Sequence, residues 1–278
     1  MTSISNGPEP TTEPTTRKVT VAVLQLASEP GEVTANVDRL LRLVEEHGPA
    51  ADLVVAPELA TSGYDLDVLE DRARQLAEPA DGPFAQRLRE TAARVGTTVV
   101  TGFLERDGDR LYDSLLTVTP NGDVRVYRKS HLYPPELAVF AAGDSLQVVQ
   151  TPAGVIGPLV CFEHAFPEVA TTLALAGAEI LVIPSAVPFG YEHVLTLRTR
   201  ARAQDNQIFA IGCNMAGHGY CGGSLVTDPR GEVLAQAGAE ETVLTVTLDF
   251  GAVVSERGRE PSLRMRRPDL YAVIGDEE

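Results

Sequence analysis

Cysteine is scarce: Cys161, Cys213 and Cys221 are the only three in 278 residues. An odd and small number cannot build a disulfide framework, so each thiol has to be judged singly. Cations are scarce too, with 23 Lys plus Arg against 39 Asp plus Glu and a formal net charge of −16. That balance repels phosphate backbones and anionic lipid at long range, so no nucleic-acid partner is expected. No apolar run approaches the ~20 residues a spanning helix needs, so no membrane partner is expected either. The first sixteen residues, MTSISNGPEPTTEPTT, lack the apolar stretch of a secretory leader and carry two glutamates. The expectation is a cytoplasmic protein with a disordered Thr/Pro-rich tail over residues 1–17. There is no P-loop, no G-x-S-x-G elbow and no H-E-x-x-H, and His47, His131, His164, His193 and His218 show no zinc-like spacing. Neither a metal nor a cofactor is therefore expected.

What is present is the composition of a folded soluble domain, 44% hydrophobic and 22% charged, with 24 Gly and 19 Pro to supply many turns. After Lys18 the run VTVAVLQLA reads as a buried strand, and Val33, Val37, Leu40, Leu41 and Val44 follow at helical spacing up to Gly48. A strand over residues 52–56, a helix over 84–95 and a strand over 97–104 complete a β-α-β-α-β order. A hairpin then turns at Pro120-Asn121-Gly122-Asp123. The order recurs: strand 154–160, helix 168–176, strand 179–183, helix 193–207, strand 208–213, and a hairpin at Asp228-Pro229-Arg230-Gly231. This repetition predicts a pseudo-duplicated α/β domain over residues 18–250, with two sheets packed face to face and helices outside. Residues 251–278, with five arginines between Arg257 and Arg267, read as a solvated or subunit-contacting arm of the same domain.

Gly217-His218-Gly219-Tyr220-Cys221-Gly222 matches G-x-G-x-x-G, but the chain runs on as a strand rather than opening the helix that a pyrophosphate requires, so it reads as a loop. Cys161 stands where the apolar run Val155 to Val160 stops and Glu163-His164 begins, at a strand end before a helix, where open α/β sheets place their sites. A packed core thiol is the alternative there. Glu58 is the first charged side chain after another apolar strand, with Gly63 and Tyr64 beyond it, and Lys129 ends the strand of the first hairpin, followed by Glu136. Singly, each strand-end charge reads equally well as a solvated side chain.

At these places the chain resembles the nitrilase superfamily of carbon–nitrogen hydrolases. Glu58 matches the family glutamate in P-E-x-x-x-x-G-Y, Lys129 the lysine in Y-R-K-x-H-L, and Cys161 the cysteine in C-[FWY]-[DE]-x-x-F-P-E. Glu136 fits the second glutamate of amidase-like members, and Arg266-Arg267-Pro268-Asp269-Leu270-Tyr271 looks like the arm that closes such chains. The resemblance spans residues 18–274. It implies an α-β-β-α sandwich that pairs as α-β-β-α-α-β-β-α into a homodimer or higher homo-oligomer, a cofactor-free hydrolase, Glu58, Lys129 and Cys161 as catalytic residues, and Glu136, Tyr64 and Phe162 as supporting or substrate-binding ones.

The residue types suit that chemistry. An amide is a poor electrophile; an ammonium nearby lowers a thiol's pKa and a carboxylate can take its proton. Cys161 would attack, Glu58 would act as base and then acid, and Lys129 with the backbone N–H after Cys161 would hold the oxyanion of a thioester pathway. The F-P-E ending after Cys161 looks like the amidase and carbamoylase branches, whereas Glu163 also matches the nitrile-cleaving branch, so nitriles, and acyl transfer to another nucleophile, stand as alternatives. Arg198, Arg200 and Arg202 can include a carboxylate anchor or be solvated.

Overall fold

The computed structural model describes residues 17–271. Its first half runs β1 (Lys18–Gln25), α1 (Val33–His47), β2 (Leu53–Val55), α2 (Leu66–Leu76), α3 (Pro83–Val95), β3 (Thr98–Asp107), β4 (Arg110–Val118) and β5 (Val124–Arg128). The second half runs β6 (Val149–Thr151), β7 (Gly154–Pro158), α4 (Pro167–Leu175), β8 (Ile180–Ser185), α5 (Glu192–Asn206), β9 (Phe209–Asn214), β10 (Ala216–Gly217), β11 (Tyr220–Cys221), β12 (Leu225–Thr227), β13 (Val233–Gln236), β14 (Thr242–Asp249) and α6 (Gly251–Arg259).

Two six-stranded sheets form, ordered β14-β1-β2-β3-β4-β5 and β13-β12-β9-β8-β7-β6. In each, three strands run parallel, β1-β2-β3 in one and β7-β8-β9 in the other, and an antiparallel pair, β4-β5 or β12-β13, extends the far side. An antiparallel strand, β14 or β6, covers the opposite side. The duplication expected from the element order is thus present in the pairing. The parallel strands are buried on both faces, which is why their sequences read as unbroken apolar runs instead of alternating ones.

One face of each sheet meets the other: Val21, Val23, Leu53, Val55 and Val100 pack against Ile156, Ile180, Val182, Phe209 and Ile211. Each such buried side chain contributes roughly 1.5–3 kcal/mol. The outer face of the first sheet takes Leu40 and Val44 of α1 and Phe84 and Leu88 of α3; that of the second takes Leu173 of α4 and Ala203 of α5. Four layers, helix, sheet, sheet, helix, result.

Residues 1–16 of the expected tail lie outside the described residues, and Arg17, its last member, is held in place, stacked 3.8 Å from the Phe250 ring and 2.8 Å from Glu179. The C-terminal segment is in part helical: α6 buries Val253 in the core between the sheets. The G-x-G-x-x-G segment, read as a loop, opens no helix but is ordered as the small β10-β11 hairpin, in which Gly217 pairs with Tyr220.

Candidate active site

Strand ends deliver the site. Glu58 follows β2, and the chain turns sharply there, with Leu59 at φ 43°. The turn lies against β3 at Gly102, whose amide donates to Pro57 O at 2.9 Å. A Cβ at residue 102 would stand 2.3 Å from Leu59 N, so only glycine lets this backbone approach. Lys129 follows β5 and extends the ladder, its amide donating to Asp113 O at 2.9 Å. Gly143 closes over it, its amide donating to Lys129 O at 2.8 Å.

The Lys129 ammonium is 1% exposed and is enclosed by three carboxylates. It donates to Glu58 Oε1 at 2.6 Å, to Glu136 Oε1 at 2.7 Å and to Asp113 Oδ2 at 3.2 Å. Glu136, in the short turn Pro134–Ala138, also accepts from Tyr64 Oη at 2.6 Å and from the Tyr133 amide at 2.8 Å. Tyr64 is fixed in turn by Tyr220, whose hydroxyl donates to Tyr64 O at 2.6 Å. Oxygens of Glu58, Asp113 and Glu136 lie within 4.8 Å of one another, a spacing that would suit a divalent cation. The lysine Nζ already fills that position, so the cluster is a cradle for an ammonium.

Cys161 begins the turn Cys161–Ala165 after β7, with φ 41°, the left-handed backbone that sharp strand-to-helix turns impose on a nucleophile. Glu163 staples this turn to the lysine segment. It accepts from the Val160 amide at 2.6 Å, from Tyr127 Oη at 2.7 Å and from the Ser130 amide at 2.8 Å. Burial pushes Glu163 up, but donors from His131, Ser130, Tyr127 and Val160 outweigh it and hold the carboxyl below its ordinary value. Glu163 therefore remains an ion, tying Cys161 to the loop after Lys129.

Burial, followed by the charge of Glu58, pushes the Cys161 thiol well above its ordinary value, against the pull of the Lys129 ammonium and of the Ala186 backbone. The ammonium does pull the thiol down, as its charge requires, but burial and the charge of Glu58 outweigh it. Burial would lower Lys129, but Glu58 and Asp113 outweigh it and raise the ammonium well above the usual lysine range. Asp113 is driven well above the usual carboxylate range by burial, with Lys129 opposing and Glu58 adding to the rise. Burial also raises Glu136, with Lys129 pulling the other way. Glu58 Oε2 is buried with no hydrogen-bond partner among the described residues, an oxygen open to a proton.

Cys161, Glu136, Tyr64 and Phe162 line one cavity of about 350 Å³, together with Tyr133, His164 and Arg198. Glu58 and Lys129 lie just behind it, both essentially without exposure. All six residues expected from the sequence are thus brought together. Two others were not foreseen. Asp113 is a carboxylate inside the buried strand β4, and that break in an apolar run was the available signal. His164 is 2% exposed, and burial, with the charges of Arg198 and Arg202 nearby, holds its pKa down to about 3. Cys213 lies in the core, its thiol 3.4 Å from Leu24 O, and Cys221 is buried against Asn214 Nδ2 at 3.3 Å.

Comparison with known proteins agrees with this geometry. The family model described as carbon–nitrogen hydrolase matches residues 20–257. The chain is 34% identical over 252 residues to an (R)-stereoselective amidase from a Pseudomonas species, covering 89% of this chain and 91% of that one. Nit3 of Saccharomyces cerevisiae, a member of branch 10 of the nitrilase superfamily, superposes with a TM-score of 0.82 at 29% identity, over 90% of this chain and 97% of that one. A mutant amidase from a Nesterenkonia species, whose active-site cysteine carries the product of Michael addition of acrylamide, superposes with a TM-score of 0.80 at 26% identity, over 91% of this chain and 98% of that one. With the sandwich, the lysine cradle and the strained cysteine turn all in place, the chain belongs to the nitrilase superfamily of carbon–nitrogen hydrolases.

Proposed function

We propose that the chain hydrolyses the C–N bond of a small linear amide or N-carbamoyl amine through a thioester on Cys161, releasing ammonia. The observation that carries this is the conjunction of the Cys161 turn with a buried ammonium held between Glu58 and Glu136. As Sγ adds to the carbonyl carbon, Glu58 accepts the thiol proton, which the resting pKa of Cys161 requires. The oxyanion is held by Lys129 and the backbone N–H after Cys161, donors fixed before the reaction starts. Collapse breaks the C–N bond as Glu58 returns the proton to the departing nitrogen. Water, deprotonated by Glu58, then attacks the thioester, restoring the thiol and giving the acid.

Glu136 and Tyr64 position the lysine and act through it. Glu163 serves to hold the Cys161 turn, so its match to nitrile-cleaving members carries no separate argument for a nitrile substrate. The amidase among the relatives supports the amide reading. The family resemblance further supports a homodimer acting in the cytoplasm. The test is ammonia release over short aliphatic amides, ω-amides of dicarboxylic acids, carbamoyl amines and nitriles. Turnover of amides or carbamoyl amines above nitriles is expected, and turnover of nitriles alone would overturn the reading. Added hydroxylamine checks the last step: product ratios that follow acceptor concentration to exclusion of the acid would make the enzyme a transferase.

A further inference from the structure

The helix α5 carries three arginines, and two are committed to the fold. Arg200 Nε donates to Gly231 O at 2.8 Å. Arg202 Nε donates to His164 O at 3.2 Å, and its Nη1 pairs with Asp205 at 2.9 Å. Arg198 is half-buried, lines the catalytic cavity, and has no hydrogen bond or ion pair among the described residues. Beside it His164 is neutral, with Nδ1 buried and unpartnered. The walls of this cavity are largely apolar, including Phe162, Val187, Pro188 and Val194. A half-buried guanidinium facing such walls is costly unless an anion comes to it. The charges that act on the Cys161 thiol include Glu58 and Glu136, which disfavour a second negative group beside it. Cys161 and Arg198 line the same cavity, which offers a place for a reacting carbonyl at the thiol and for an anion at the guanidinium.

We propose that Arg198 anchors a carboxylate at the far end of the substrate, so that the substrate is a small amide or carbamoyl compound bearing a free carboxylate a few bonds from the scissile carbonyl. This rests on the amide-hydrolysis reading above. A fork of N–H donors meeting a carboxylate gives both orientation and charge-assisted hydrogen bonds. Two sources share this chemistry, the ω-monoamides of dicarboxylic acids and the N-carbamoyl amino acids.

The test compares succinamate and N-carbamoyl-β-alanine with 4-methylpentanamide, which has the shape of succinamate without its charge. For Arg198→Met, the kcat/KM ratio of the preferred anionic substrate over 4-methylpentanamide should fall at least about thirtyfold, mainly through KM, as expected for loss of a remote charge-assisted contact. Arg198→Lys should recover part of the loss, because it keeps the charge and not the fork. Taking the ratio within one variant cancels any loss of folded enzyme. A ratio that changes less than threefold in Arg198→Met, or a wild type that prefers 4-methylpentanamide, overturns the assignment while leaving amide hydrolysis intact. No ammonia from any amide or carbamoyl compound overturns both.

Discussion

At the scale of single residues, the buried ammonium decides most of the energetics. Lys129→Met removes the proposed oxyanion donor and leaves Glu58 and Glu136 without the cation between them. Steady-state kinetics should show kcat down by at least about a hundredfold, and denaturant unfolding should show a loss of about 3–5 kcal/mol. Lys129→Arg should restore neither, since a planar fork cannot replace a compact ammonium among three carboxylates. Asp113 behaves differently. It makes the longest of the three contacts to the ammonium, 3.2 Å, so Asp113→Asn, which keeps an oxygen acceptor there, should hold kcat within about threefold of wild type; a loss as large as that of Glu58→Gln would mean that Asp113 takes part in proton transfer. His164 supplies a pH signature. Its folded pKa of about 3 lies below the ordinary value of 6.5, so the folded state binds fewer protons than the unfolded one between these pH values. Stability from this group is complete above pH 6.5 and is lost as pH falls toward 3, by up to about 5 kcal/mol. Thermal melts of His164→Gln across that window should show a shallower acid decline than wild type; parallel declines would refute the assignment.

At the scale of elements, Gly102 links β3 to the Glu58 turn. Gly102→Ala places a Cβ against Leu59 N and Pro57 O, so the turn has to move. The variant should unfold more easily by at least about 1–3 kcal/mol, as overpacking does, and should lose activity out of proportion because Glu58 moves with the turn. An active, equally stable variant would show that the contact is slack. The elements that the sequence made legible are those with strong local signals. Examples are the apolar run of β1, the helix α3 begun by Pro83 and closed by Gly96 at φ 76°, and the hairpin at Asn121-Gly122. The helix α2 escaped because it buries only Leu69 and Ala73, too thin a stripe for periodicity, although Asp65 caps it by accepting from the Val68 amide at 3.0 Å. The strand β14 escaped for another reason. It is half-exposed and its partner β1 lies more than two hundred residues away, so no local pattern indicates that the chain returns to its first strand. In the site, Glu58, Lys129 and Cys161 were legible as charges or a thiol at strand ends, whereas the upward push on the thiol was not, because it depends first on how deeply the fold buries Cys161 and then on how near it sets Glu58.

At the scale of the whole molecule, the two halves each supply part of one site: Glu58, Lys129 and Glu136 come from the first half and Cys161 from the second. Sheet-to-sheet packing between Val55 or Val100 and Ile180 or Val182 therefore sets the distance between Glu58 and Cys161. The subunits are expected to pair, and light scattering should give twice the chain mass of 29.7 kDa; a monomer at working concentration would contradict the expected dimer. The central claim is that Cys161 carries the acyl group. The most direct measurement is mass spectrometry of peptides from enzyme quenched in acid during turnover of its best amide. The account predicts an adduct equal to the substrate less ammonia on the peptide containing Cys161. Steady turnover with no adduct there, or an adduct on Cys221 instead, would contradict it.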